Sequence, residues 1–283
     1  MKYNNKVIIV NGMQRGGTNI VWNLLQSHPK IVSPGLETGE LLFPAWASNR
    51  LFKPLKAPLR LLLSEHFPPL LKRLDRVLYE NKMRTLQDDN NKYKNPKEIY
   101  TREELEDAAL TAKSVGDDIF FTPAMSDYFP QAYVIYVVRN GLAVCEGWVR
   151  RGVTPSKAAH VYKKLMEEVV HQSNHLENHL IVNFEDCLSD PMGQAVRMYK
   201  FVGLDAKDVK HIRIKSKKII QDNGTHETDF AKAGQKIWLD PEGVKDYLDA
   251  SITQRQIDRL SVRDKETIVR IIGPTMQKLG YGS

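Results

Sequence analysis

Apolar residues occur along the chain in two kinds of run. Val7-Ile8-Ile9-Val10 and Tyr133 to Val138 (YVIYVV) are continuous and rich in β-branched and aromatic residues. Such runs predict strands buried on both faces. Ile31 to Ser33 and Leu180 to Asn183 predict two shorter strands. Elsewhere the spacing is helical. In Thr18 to Ser27 it puts Ile20, Val21, Leu24 and Leu25 on one face, and His28-Pro29 ends the segment. Thr154 to His175 predicts a long helix with a Thr-Pro entry, Asp190-Pro191 to Phe201 a helix stopped by Gly203, and Gln254 to Leu279 a largely helical end. Strands alternating with helices predict an α/β fold with a central parallel β-sheet flanked by helices.

Residues 44–110 break that rhythm. Ala57 to Leu63 and Pro69 to Leu78 read as helices, Asp88 to Pro96 as a polar loop, and Thr101-Arg102-Glu103-Glu104 as a capping box. Strand-type runs resume afterwards, so the stretch is expected to be a helical insertion within one domain covering 1–283.

Composition narrows the class little. The 283 residues are 42% hydrophobic and 27% charged, an ordinary globular balance. Cys145 and Cys187 have neither disulfide-framework nor metal-site spacing, so no structural metal is expected and a reducing, cytoplasmic setting fits. No apolar stretch approaches the roughly 20 residues a membrane span needs. The net charge of +7 admits nucleic acid, a membrane surface or a small anion as partner. Residues 1–142 carry 19 basic against 15 acidic groups and 143–283 carry 22 against 19, so no basic tail points to nucleic acid. The densest basic cluster, Lys207 to Lys218, reads as a solvated face or loop.

The first predicted strand and helix are joined by Gly12-Met13-Gln14-Arg15-Gly16-Gly17, followed by Thr18-Asn19. Gly12 and Gly17 have the spacing of a phosphate-binding P-loop, which offers backbone N–H groups and a helix start to an anion. The lysine a nucleoside-triphosphate site needs after the last glycine is replaced by Thr18, and Arg15 brings a cation inside the loop instead. The fold is therefore expected to be P-loop-like, with three readings open: an altered phosphate cradle, a P-loop phosphotransferase, or a plain Gly-rich turn.

The stretch VIIVNGMQRGGTNIVWNLLQSHPKIV resembles the first signature of sulfotransferases that use 3′-phosphoadenosine-5′-phosphosulfate (PAPS). Arg15, Gly17, Thr18, Leu24, Leu25, His28 and Pro29 match; Gln14, Gly16 and Asn19 replace a proline, a serine and a hydroxyl residue. Phe129-Pro130-Gln131-Ala132 through Arg139-Asn140-Gly141 resembles the second signature, and Asn183-Phe184-Glu185-Asp186 to Asp190-Pro191 with Phe201-Val202-Gly203-Leu204 resembles a third segment. The resemblance implies that Arg15, Gly16, Gly17, Thr18 and Asn19 wrap the 5′-phosphosulfate. It also implies that Arg139 holds the 3′-phosphate, with Gly147 at the place of a serine contact and Arg151 at that of a further arginine. Phe184 replaces a tyrosine, and Glu185 and Asp186 read as structural. Gly234 to Trp238 and Met276 to Tyr281 resemble the end of the tyrosylprotein-type enzymes, which makes Lys236 a donor-binding lysine.

Sulfonate transfer needs a base near the acceptor hydroxyl and cations near the leaving oxygen. The resemblance implies Glu37, followed by Thr38, as base, with Glu40 as the alternative. It also implies Lys113 and Arg15 as the cations for the leaving oxygen. PAPS is the implied donor, adenosine 3′,5′-bisphosphate the product, and no metal is required. The acceptor is expected to bear a hydroxyl: a carbohydrate first, a peptide tyrosine second, a lipid or small alcohol third. A non-catalytic nucleotide-binding homologue and a P-loop phosphotransferase are the rival functions. A homodimer stays open, and no nucleic-acid partner is expected.

Overall fold

Val7, Ile8, Ile9 and Val10 have no exposed surface, and the run forms the middle strand of the molecule. The computed structural model describes residues 5–33, 37–39, 68–84, 100–215, 219–220, 226–227 and 236–282. In chain order the elements are β1 (Val7–Gly12), α1 (Thr18–Gln26), β2 (Ile31–Val32), α2 (Pro68–Arg84), α3 (Arg102–Asp107), β3 (Ala109–Val115), α4 (Thr122–Tyr128) and β4 (Ala132–Val138). They continue with α5 (Gly141–Val149), α6 (Pro155–Ser173), β5 (His179–Asn183), α7 (Phe184–Ser189), α8 (Pro191–Phe201) and β6 (Ile212–Lys215). The last are β7 (Ile219–Ile220), β8 (His226–Glu227), β9 (Lys236–Leu239), α9 (Val244–Tyr247), α10 (Ile252–Asp258) and α11 (Val262–Lys278).

The five-stranded sheet has the order β2-β3-β1-β4-β5, and every pairing in it is parallel. Alternate residues of β1 feed two cores. Val7 and Ile9 pack with Leu74, Tyr136, Tyr162, Ile268 and Ile272 on one face. Ile8 and Val10 pack with Val21, Leu24, Leu25, Met198 and Tyr199 on the other. Helices therefore cover both faces, as an all-parallel sheet requires. The chain leaves β1 toward β2 and β3 and then crosses back to β4. The C-terminal ends of β1, β3 and β4 consequently flank a topological switch point, the usual ligand position in such sheets.

Most of the expected elements are present. Thr101 and Glu104 form the capping box of α3, the Thr154 hydroxyl caps α6, and Gly203 follows α8 with φ 71°. The C-terminal stretch is largely helical as expected, in two helices, the second started at Ser261, whose hydroxyl accepts from the Asp264 amide. Two expectations need correction. The insertion does not reach residue 110, because Ala109 pairs with Ile31 and Leu110 with Val7 and Val32, making both part of β3. Lys207 to Lys218 is not uniformly solvated: Arg213 is 4% exposed in β6, which pairs antiparallel with β9, and its amide donates to the Ser27 hydroxyl. The expected helix at 57–63 and loop at 88–96 lie outside the described residues. Both cysteines are buried and unbridged. Among the described residues no helix is long and apolar enough to cross a membrane.

Candidate active site

The loop after β1 turns sharply. The Gly16 amide donates to the Met13 carbonyl at 2.9 Å, and Arg15 adopts φ 71°, the one positive φ outside glycine among the described residues. Gly17 follows at φ 87° and stands at the start of α1, which has no side-chain cap. Its uncapped amides and dipole favour an anion there. A Cβ on Gly17 would fall 1.9 Å from the Phe184 ring, and one on Gly12 2.5 Å from the Thr18 methyl. Phe184 thus forms the floor of the loop. Gly17→Ala is expected to cost about 1–2 kcal/mol in backbone conformation alone, with more from the displaced ring. Chemical denaturation without ligand measures it, and an unchanged midpoint would refute the close packing.

Beside the loop, β3 brings Lys113 under α1. Its ammonium is 2.7 Å from a Glu37 carboxylate oxygen and donates to the Asn19 side-chain oxygen at 2.8 Å. It also lies 5.0 Å from the centre of the Trp22 ring. The Lys113 side chain is 7% exposed and that of Glu37 39%, so a buried cation meets a carboxylate open to solvent. Glu37 is fixed by its neighbours. It bridges the Lys113 backbone, the Thr38 hydroxyl donates to the Lys113 carbonyl and accepts from Ser114, and the Gly39 amide donates to Asp118. Glu40 lies outside the described residues.

On the opposite side, Arg139 directly follows β4 and is 6% exposed. One terminal nitrogen donates to the Arg15 carbonyl at 2.9 Å; the other donates to the Thr253 hydroxyl at 3.3 Å and to the Gln256 side-chain oxygen. Its guanidinium carbon sits 4.2 Å from the centre of the Phe184 ring. Burial lowers its pKa to about 10, and Glu185, Tyr281 and Glu146 oppose that shift. Glu185 accepts from the Asn140 amide, the Thr253 hydroxyl and the Tyr281 hydroxyl at 3.2, 3.1 and 2.7 Å. This matches its reading as a structural acid.

Gly147 is where two further arginines meet. A Cβ there would stand 3.3 Å from Cβ and Cγ of Arg15, whose stem therefore lies along α5. Arg151 donates to the Gly147 carbonyl. Its pKa is lowered first by burial, then by the charges of Arg15 and Arg150. Cations gathered in this way favour an anion between them. Lys236 opens β9, where its backbone pairs with Lys215, and its side chain lies outside the described residues.

The structure thus joins Arg15, Gly16, Gly17, Thr18, Asn19, Glu37 and Lys113 around the end of β1, with Arg139, Gly147 and Arg151 on the α5 side. The sequence reading missed Thr253, Gln256 and Glu146. Glu146, 2% exposed within the apolar stretch GLAVCEGWV, was the one available signal, because a buried acid needs partners.

The model of the Sulfotransferase family matches residues 7–208 of the chain. The sulfotransferase domain of the olefin synthase of Synechococcus PCC 7002 superposes with a TM-score of 0.53 at 16% identity, covering 96% of both chains. The sulfotransferase domain from the curacin biosynthetic pathway gives 0.52 at 15% identity over 98% of both. At these identities the likeness concerns the fold. No curated protein sequence matches the chain. The family match spans both signatures, the loop and the strand ends described above, and the chain belongs to the sulfotransferase family.

Proposed function

We propose that the C-terminal edge of the sheet binds PAPS and passes its sulfonate to an acceptor hydroxyl, with Glu37 as base and a carbohydrate as the favoured acceptor. The observation that carries this reading is Lys113, a buried cation held between the Glu37 carboxylate and Asn19 at the start of an uncapped helix. The residues present fit an anionic nucleotide. Gly16 and Gly17 bring no Cβ to the start of α1, the helix has no side-chain cap, and Arg15 and Arg151 meet at Gly147. Nε of Arg139 is buried with no hydrogen-bond partner among the described residues.

When bound, PAPS supplies the sulfonate: the acceptor oxygen bonds to sulfur as the bond from sulfur to the 5′-phosphate oxygen breaks. Arg15, Gly16, Gly17, Thr18 and Asn19 hold the 5′ end. Arg139 and Arg151, with Gly147 between the latter and Arg15, serve the 3′-phosphate, and Lys236 is assigned to the donor as well. Lys113 and Arg15 neutralise the oxygen that leaves. Glu37 takes the proton of the acceptor hydroxyl, since its half-exposed carboxylate is reachable from solvent while its backbone is pinned to β3. The pattern of a glutamate ahead of threonine, shared with tyrosylprotein and glycan enzymes, favours carbohydrate over a small alcohol. A single catalytic domain over 1–283 is part of this proposal.

Thermal unfolding with adenosine 3′,5′-bisphosphate tests the donor site. At about 100 times its Kd a ligand specific to the native state adds about 2.7 kcal/mol, or roughly 5 °C for a chain of this size. A rise with the bisphosphate and none with ATP and magnesium is expected. The reverse pattern would establish the phosphotransferase reading instead.

A further inference from the structure

The region matched by the family ends at residue 208, yet two side chains from α10 reach Arg139, which holds the loop that carries Arg15. Gln256 is 7% exposed and stands between two buried charges. Its side-chain oxygen accepts from Arg139, and its amide nitrogen donates to Glu146 at 3.0 Å. Thr253, one turn earlier and 9% exposed, accepts from Arg139 and donates to Glu185. An amide is well matched to the first position. It offers an acceptor to the guanidinium and a donor to the carboxylate, which no carboxylate or aliphatic side chain can do together.

The two charges lead to the two halves of the donor site. Through its other terminal nitrogen Arg139 holds the carbonyl of Arg15. Arg15 occupies the left-handed region at φ 71°, a conformation that a residue with a side chain keeps only when held from outside. The aim of the Arg15 side chain along α5 depends on that hold. Glu146, meanwhile, pairs at 3.4 Å with Arg150, the residue before Arg151, and at 3.9 Å with Arg259. Gln256 therefore links the arginine of the loop to those at the end of α5.

We infer that Gln256 and Thr253 are positioning residues of the donor site, acting through Arg139 and Glu146 to fix Arg15 and the Arg150-Arg151 pair that follows α5. The inference rests on the reading of this site as the PAPS site. It assigns α10 a part in donor affinity and none in acceptor chemistry.

Calorimetric titration of the full chain with adenosine 3′,5′-bisphosphate tests it, using Gln256→Ala, Thr253→Val and Thr253→Ser. Hydrogen bonds to charged groups predict a Kd about tenfold weaker for Gln256→Ala and several-fold weaker for Thr253→Val. Thr253→Ser, which keeps the hydroxyl, is expected to bind within about twofold of the unmodified protein. Melting temperatures without ligand record any packing cost separately, and a purely structural role would lower them while leaving the Kd of the folded protein unchanged. Unchanged Kd values in folded Gln256→Ala and Thr253→Val overturn the inference. If Gln256→Ala fails to fold, the contrast between Thr253→Val and Thr253→Ser decides. Failure of the unmodified protein to bind would reject the donor-site reading itself, and the role of α10 falls with it.

Discussion

Replacing Lys113 by methionine is expected to slow sulfonate transfer by about 10²–10³-fold, the usual loss when one preorganised donor to a developing negative charge is removed. Methionine is chosen because the Lys113 stem is buried beside Trp22 and a shorter residue would leave a cavity. The substitution removes the charge and keeps most of the volume. Loss of the ammonium also frees Glu37 and Asn19 from their shared partner. Two measurements separate the consequences. Single-turnover rates report the chemical step, and bisphosphate titration reports the site without chemistry. A large fall in rate with a small change in Kd is the expected result. Unchanged turnover would remove Lys113 from the reaction and leave it a packing residue.

The lysine illustrates what could and could not be read from the chain. β1 and β4 were legible because VIIV and YVIYVV are continuous apolar runs, which few other structures satisfy. β3 was not. Its sequence ALTAKSV interleaves Ala, Thr, Lys and Ser, yet all seven residues are buried. Lys113 and Ser114 find partners that only the fold assembles, Asn19, Glu37 and Thr38, while the buried Thr111 hydroxyl has no hydrogen-bond partner among the described residues. A strand whose polar residues serve a site loses its hydrophobic signature, so the element nearest the proposed chemistry was the hardest to predict.

Distance along the chain hid the second part. The Gly-rich turn declared itself by composition, and Arg139 by its place at the end of the strongest strand. Arg139 holds the turn directly through the Arg15 carbonyl, but its own anchors, Gln256 and Thr253, lie more than a hundred residues away. Neither α10 residue carries a local pattern, since Gln and Thr on a short helix are more often solvated. The basic excess misled in the other direction. Arg213, counted with a surface cluster, is buried against the end of α1, where its amide binds Ser27. Formal charge therefore gave no measure of how much of the surface attracts anions.

Glu37→Gln is expected to reduce transfer by about 10²–10⁴-fold, the range typical of a lost general base. The amide is nearly isosteric, and its oxygen can still accept from Lys113, so the residue should stay where the Thr38 and Gly39 contacts place it. What it cannot do is take a proton from the acceptor hydroxyl. Bisphosphate affinity should therefore hold within a few-fold while turnover collapses, and this split distinguishes a base from a residue that only shapes the site. Glu40→Gln, measured alongside, should retain activity. If it is the variant that fails, the base is Glu40 and Glu37 serves to hold Lys113. The double variant Glu37→Gln with Lys113→Met adds a check on coupling, because residues in direct contact do not contribute independently. Its rate should lie well above the product of the two separate losses. Strict multiplication of those losses would mean that the 2.7 Å pair has no energetic role in the reaction.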